Sequence, residues 1–258
     1  MEVSLDKITR NGRAMFLAYD QGMEHGPEMD FDDQSVDPQN ILKIAESGYF
    51  TAFFCQKGIA EKYYNPKIHK IPLILKLNGR TKLRAELDEP YSPQLCSVKE
   101  AVELGAVAVG YTIYIGSQYE GKMMQEFSQI EQEAEKYKIP VIAWTYPRGK
   151  AVAGKEKSRE ILSYAARIGL ELGADIIKIP YGGNKEDFEW VVKSAGKTKV
   201  IMAGGPKRDK KGFFQDVKDI LEAGAIGIAV GRNVWQDKNP LEISHQLAKI
   251  IHLESVTG

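Results

Sequence analysis

Cysteine is scarce in this chain: 258 residues hold two, Cys55 and Cys96. Neither sits in a CxxC pair or a secretory framework, so a disulfide scaffold is excluded and two reduced thiols are expected. An excess of charge of one sign is missing too. Lys and Arg total 35, Asp and Glu total 35, and the formal net charge is +0. Without a net field there is nothing to draw nucleic acid or an anionic membrane, so neither is expected as a partner. No apolar run approaches the roughly 18 residues that a membrane span needs, and the start, MEVSLDKITRNGRAMF, has no apolar signal core. The expected location is the cytoplasm. Histidines are few, at 25, 69, 245 and 252, with no HxH or HExxH spacing. A zinc-dependent enzyme needs a histidine cluster to hold its ion, so chemistry without a metal is expected.

What is present is a repeated joint: Glu46-Ser-Gly48, Glu103-Leu-Gly105, Glu171-Leu-Gly173 and Glu222-Ala-Gly224. Each glycine follows a segment of helical apolar spacing and precedes an apolar, β-rich run. Glycine suits the left-handed residue just past a helix, so each joint is a helix stop leading into a strand. Strands are expected at 14–20, 49–55, 72–77, 107–114, 141–146, 175–181, 199–205 and 225–231. Most are continuous apolar runs, as befits a parallel sheet covered on both faces. Helices are expected at 40–47, 97–104, 117–136, 158–172, 185–194, 214–223 and 240–253, with a weaker one around 58–64. Eight alternations over this length imply an α/β fold, a (β/α)₈ TIM barrel, as a single domain spanning 1–258. An open doubly wound sheet is the rival. It would more often carry GxGxxG after its first strand, where this chain has Asp20-Gln-Gly-Met-Glu-His-Gly-Pro27. Two βα loops, 21–38 and 78–94, are long, and active sites of barrels belong on such loops. The cluster Asp30, Asp32, Asp33 lacks the glycine and glutamate of a calcium loop.

The residue that stands out is Lys178, inside the apolar run Ala-Asp-Ile-Ile-Lys-Ile-Pro-Tyr. Period two puts it on one face with Ile176 and Pro180. Desolvation lowers a lysine's pKa, and a neutral amine attacks a ketone to form a Schiff base. The alternative is a strand-end lysine with its head in solvent or paired with a carboxylate such as Asp175. The fifth strand ends Trp144-Thr-Tyr146-Pro-Arg148, three residues spaced by two. They are either a proton-transferring tyrosine with a phosphate-gripping arginine, or an aromatic core pair beside a surface arginine. Glycine turns follow the last two strands, at Ala203-Gly204-Gly205 and Gly231-Arg232, trailed by the cations Lys207 and Arg232. Loops after strands seven and eight are the recurrent phosphate site of this architecture, and the alternative is two ordinary turns. Asp20, ending the first strand, either faces the mouth or caps the next turn. His25 is more at home in a hydrogen bond within its own loop than on a ligand.

These residues together resemble the archaeal-type class I fructose-1,6-bisphosphate aldolases. The likeness runs through LAYDQGMEHGP (17–27), GIAEKYY (58–64), IPLILKLNGRT (71–81), GAVAVGYTIYIGS (105–117), AWTYPRG (143–149), YAARIGLELGADIIKIPY (164–181), AGGPK (203–207) and GAIGIAVGRNVWQ (224–236). The resemblance implies that Lys178 forms the Schiff base, that Tyr146 donates and accepts the proton, and that Asp20 and Trp144 line the reacting carbons. It implies a C1-phosphate cradle from Ala203, Gly204, Gly205, Gly231 and Arg232, with Arg148 at the other end of the sugar. Gln21, also expected at the substrate, stands where some members have histidine. Ala203 stands where serine is frequent, and Pro180 where a polar residue often sits. The implied partner is a phosphorylated sugar, and the implied assembly is a large homo-oligomer, with a decamer among the sizes it allows. Two other functions are compatible with the same residues. One is a related Schiff-base lyase or transferase on another phosphorylated sugar or diketone; the other is a non-catalytic phosphate-binding barrel.

Overall fold

The computed structural model describes residues 3–85 and 87–252, apart from the side chain of Met29. Eight parallel strands close into a barrel in chain order: β1 (Ala14–Tyr19), β2 (Ala52–Gln56), β3 (Leu73–Lys76), β4 (Ala106–Ile115), β5 (Val141–Pro147), β6 (Ile176–Pro180), β7 (Lys199–Ala203) and β8 (Gly227–Val230). Closure is made by β1 pairing with β8, Phe16 opposite Ala229. The (β/α)₈ TIM barrel expected from the alternation is therefore present.

Alternation along each strand sorts its side chains into two cores. Phe16, Phe54, Ile74, Ala108, Ile142, Trp144, Ile176 and Ile201 point inward and fill the barrel. Their neighbours, such as Leu17, Leu75, Val109, Ile177 and Val200, point outward and pack under the helices. Both faces of each strand are thus dry, which is why the strands appear as unbroken apolar runs.

The joints behave as read. Gly105 (φ 87) and Gly173 (φ 84) take the left-handed conformation past the helices Val98–Glu103 and Arg159–Glu171. The helix starts at Pro38, Val98, Arg159, Lys185 and Lys210 are fixed by side-chain caps. Ser97 and Glu100 form a reciprocal capping box, and Asp209 accepts from Gly212 N at 2.7 Å. That second cap starts its helix at Lys210, four residues before the expected 214, inside a charged stretch that looks like loop. Conversely, the helix expected from 117 starts at Glu120; Ser117 sits in the turn before it, its hydroxyl donating to Pro90 O and accepting from Tyr119 N. The expected end of the last helix at Leu253 lies outside the described residues. The two long loops come out at the C-terminal ends of β1 and β3. The first contains short helices at Gln21–His25 and Pro27–Asp30, too brief to leave a periodic signature.

Candidate active site

At the C-terminal end of the barrel a cavity of about 520 Å³ opens to solvent. Its lining includes Asp20, Gln21, Tyr146, Arg148, Lys178, Ala203, Gly204, Gly205, Gly231 and Arg232. The structure thus brings together residues from β1, β5, β6, β7 and β8 that sequence singled out separately. Trp144 is the exception: it packs below the cavity rather than in its wall.

Lys178 lies on the inward face of β6, between Trp144 of β5 and Ile201 of β7 in register. It is 6% exposed. Its Nζ sits 4.4 Å from the Phe54 ring centre, 4.9 Å from that of Trp144 and 5.9 Å from that of Tyr146. Aromatic faces offer some comfort to a cation, yet burial dominates and brings the lysine down to about 8, with Asp20 pulling upward and Lys76 downward. Asp175, weighed above as a structural partner, is elsewhere: its carboxylate accepts from Val141 N at 2.8 Å, at the N-terminal end of the strands. Tyr146 is held protonated, its pKa raised chiefly by burial and secondarily by Asp20. Arg148 lies over the rings of both Tyr114 and Tyr146, at 5.5 Å from each.

The site also holds a residue that sequence reasoning passed over. Lys76, ending β3, is 1% exposed. It donates to Asp20 at 2.9 Å and also to Glu24. Burial works against its charge, but the two carboxylates outweigh that and raise its pKa. Asp20 is correspondingly lowered: burial pushes it up, and Lys76 followed by Lys178 overrides this. Asp20 therefore pairs across the barrel mouth and does not cap the turn; its side chain makes no cap hydrogen bond. Lys76 could have been noticed by the same rule as Lys178, a lysine inside an apolar strand. Its partner Glu24 gave no signal, because it lies 52 residues away on a five-residue helix.

On the opposite wall, the turns after β7 and β8 meet. Gly204 N–H donates back to Ala229 O at 2.8 Å, so it is spent on the sheet. The buried Arg232 Nε has no partner among the described residues, while Nη1 reaches Asp30 at 3.3 Å. Lys207, expected beside Arg232 as a second cation, turns away to donate to Gln236 O. Arg208 lines the cavity instead, paired with Asp216. His25 does make the local bond expected of it, Nδ1 to Asp30 at 2.5 Å, but it also lines the cavity. Among the described residues, no group of three or more His, Cys, Asp and Glu side chains is arranged to hold a metal ion.

A buried amine of lowered basicity, a protonated tyrosine and a wall of two glycine turns with an arginine nitrogen unpartnered among the described residues, gathered at the open end of a parallel barrel, fit a Schiff-base-forming barrel lyase. The chain belongs to the DeoC/LacD family of aldolases, whose model matches residues 14–237. It is 51% identical to the class 1 fructose-bisphosphate aldolase of Thermoproteus tenax, over 95% of this chain and 92% of that one. With its Halobacterium salinarum counterpart the identity is 40%, over 96% and 94%. An archaeal fructose-1,6-bisphosphate aldolase solved with its catalytic lysine bound to the substrate's carbinolamine superposes with a TM-score of 0.91 at 49% identity, covering 96% of this chain and 97% of that one.

Proposed function

We propose that this chain is a Schiff-base fructose-bisphosphate aldolase, cleaving fructose 1,6-bisphosphate reversibly to dihydroxyacetone phosphate and glyceraldehyde 3-phosphate. The observation that carries this is Lys178: an amine whose pKa burial lowers to about 8, on the floor of the cavity, with aromatic rings around it and the glycine turns after the neighbouring strands β7 and β8 in the same cavity wall.

The steps follow from the chemistry of the groups. The uncharged amine of Lys178 attacks C2 and forms a carbinolamine. Loss of its hydroxyl as water needs a proton, and the Tyr146 phenol, kept protonated by burial, supplies it. The phenolate so formed takes the proton from the C4 hydroxyl. The C3–C4 bond then breaks, its electron pair passes into the iminium as an enamine, and glyceraldehyde 3-phosphate leaves. Protonation at C3 and addition of water release dihydroxyacetone phosphate and regenerate the amine. No step draws on a metal or an organic cofactor.

The C1 phosphate is assigned to the wall built by β7 and β8. Since Gly204 N–H is engaged with Ala229, the donors left to the phosphate are the N–H groups of Gly205, Gly231 and Arg232, together with Arg232 Nε. Gln21 orients the sugar beside Asp20, whose N–H it already accepts at 3.1 Å. Arg148, reaching the far side of the cavity, takes the other end of the substrate. One domain carries all of this. Cytoplasmic location and assembly into a large homo-oligomer, a decamer among the candidates, belong to the same proposal. They rest on the family likeness alone.

Incubation with dihydroxyacetone phosphate, borohydride reduction and peptide mapping tests the assignment. An adduct on Lys178 is expected. Phosphate binding without an adduct would favour the non-catalytic barrel.

A further inference from the structure

Two carboxylates and two lysines share the buried mouth of the barrel, and their pairing is lopsided. Lys76 Nζ holds Asp20 Oδ2 at 2.9 Å and Glu24 Oε1 as well. Among the described residues, Lys178 has no carboxylate within 4.0 Å, although Asp20 is close enough to act on it electrostatically. Both lysines lie against the same indole, Lys76 at 5.1 Å and Lys178 at 4.9 Å from its centre. Asp20 and Glu24 line the cavity, whereas Lys76 is shut behind them and is not part of its lining. A group so placed cannot touch the sugar. It can only act through what it holds.

In a dry site, an unclaimed carboxylate is drawn to the nearest ammonium. Were Asp20 free, that ammonium would be Lys178, and a lysine locked in an ion pair stays protonated and inert. We propose that Lys76 is a positioning residue: its ammonium occupies the Asp20 and Glu24 carboxylates so that neither closes onto Lys178, which leaves that amine unpaired and nucleophilic. The proposal rests on Lys178 being the Schiff-base lysine.

Other charged groups around Lys178 do not substitute for this. From β5, Tyr146 is protonated and Arg148 sits over the tyrosine rings. From the loops after β1 and β8, His25 and Arg232 are both tied to Asp30. At the rim, Arg208 and Asp216 satisfy each other, while Glu156 and Lys157 line the mouth with opposite charges.

The test uses the full chain and follows cyanoborohydride trapping of dihydroxyacetone phosphate on Lys178, by intact mass, across pH, beside the pH profile of kcat/KM for fructose 1,6-bisphosphate. K76M is expected to move the acid limb of both profiles upward by about one pH unit. Trapping at neutral pH should then fall roughly tenfold and recover in alkali. K76R restores the pairing and should return the limb towards its original place. E24Q removes one anion and leaves the Lys76–Asp20 bond, so its limb is expected to move the opposite way, to lower pH. A merely structural Lys76 would lower trapping in K76M by the same factor at every pH; that result, or a limb that stays put, overturns the proposal. Should K76M fail to accumulate folded, E24Q decides: a downward shift supports, no shift overturns. Absence of any Lys178 adduct in the unaltered protein would instead remove the aldolase assignment itself.

Discussion

Lys76 and Lys178 are almost equally buried, lie on inward faces of the same barrel and flank the same tryptophan, yet they are opposite in character. Lys76 is a fixed cation, whereas the basicity of Lys178 is lowered to about 8, so that a share of it is uncharged near neutral pH. Burial penalises the charge of both. Partners decide the rest: Lys76 has two carboxylates in direct contact, and Lys178 has three aromatic rings. Reactivity in this site is therefore a matter of which lysine is denied a counter-ion, and the fold makes that choice by where β1 and its loop deliver Asp20 and Glu24.

The largest effect should come from removing the unpaired member. K178M is expected to lower turnover by on the order of 10⁴ or more while leaving phosphate binding measurable by calorimetry. It should also stabilise the fold. With the lysine near 8 in the folded chain and 10.5 as its ordinary value, the unfolded chain binds more protons between those limits. Stability thus rises with pH through that window, and below it the suppressed ammonium costs about 3 kcal/mol. Methionine abolishes that cost, so thermal melting at pH 7 should rise by several degrees. A lower melting temperature would mean that Lys178 is stabilised like Lys76, and the contrast would collapse.

Next in size is Y146F, which separates attack by the amine from the proton transfers after it. A drop in kcat of about 10² to 10⁴ is expected. Dihydroxyacetone phosphate should still mark Lys178 under cyanoborohydride, though more slowly. Loss of all labelling with folded protein would shift the first step away from the lysine alone. R148A should be smaller again and of another kind. Arg148 is a third cation at the mouth, but it faces tyrosines rather than carboxylates. Its loss should raise KM for the bisphosphate roughly tenfold, with kcat and the acid limb near pH 8 little changed. A shifted limb would draw Arg148 into the electrostatics that set the lysine apart.

Much of this was visible in the sequence. The joints at Gly105, Gly173 and Gly224 mark helix ends because a left-handed residue has few other solutions, and eight apolar runs between them leave few architectures besides a closed barrel. Lys178, Tyr146 and the two glycine turns follow from strand periodicity and position at strand ends. Lys76 was equally visible, lying in Leu73-Ile-Leu-Lys76-Leu as Lys178 lies in Ile-Ile-Lys178-Ile, but nothing local says that one is paired and the other bare. That depends on Asp20 and Glu24, 56 and 52 residues away, delivered by closure of the ring. Lys207 erred for the same reason in reverse. Its spacing beside Gly205 suits an anion, but the end of the short helix Arg232–Trp235 presents Gln236 O to it, a nearer acceptor.

The finest test of the contrast lies at Gly110 of β4, which faces Lys76 in register and leaves room for the indole between the lysines. A methyl built there would stand 2.8 Å from two carbons of the Trp144 ring, and Phe54 backs that ring at 5.2 Å. In G110A the indole must therefore shift at a cost of about 1–3 kcal/mol, seen as a modest fall in melting temperature. The two lysines should respond unequally. Lys76 keeps both carboxylates and stays charged. Lys178 loses part of the aromatic face that favours its ammonium, worth roughly 0.5–1 kcal/mol, so its titration should drop by a few tenths of a pH unit. The acid limb of Schiff-base trapping would then move down while turnover at its plateau changes only a few-fold. An upward shift would show that displacing the ring lets Asp20 reach Lys178, making the indole itself the barrier that keeps nucleophile and carboxylate apart.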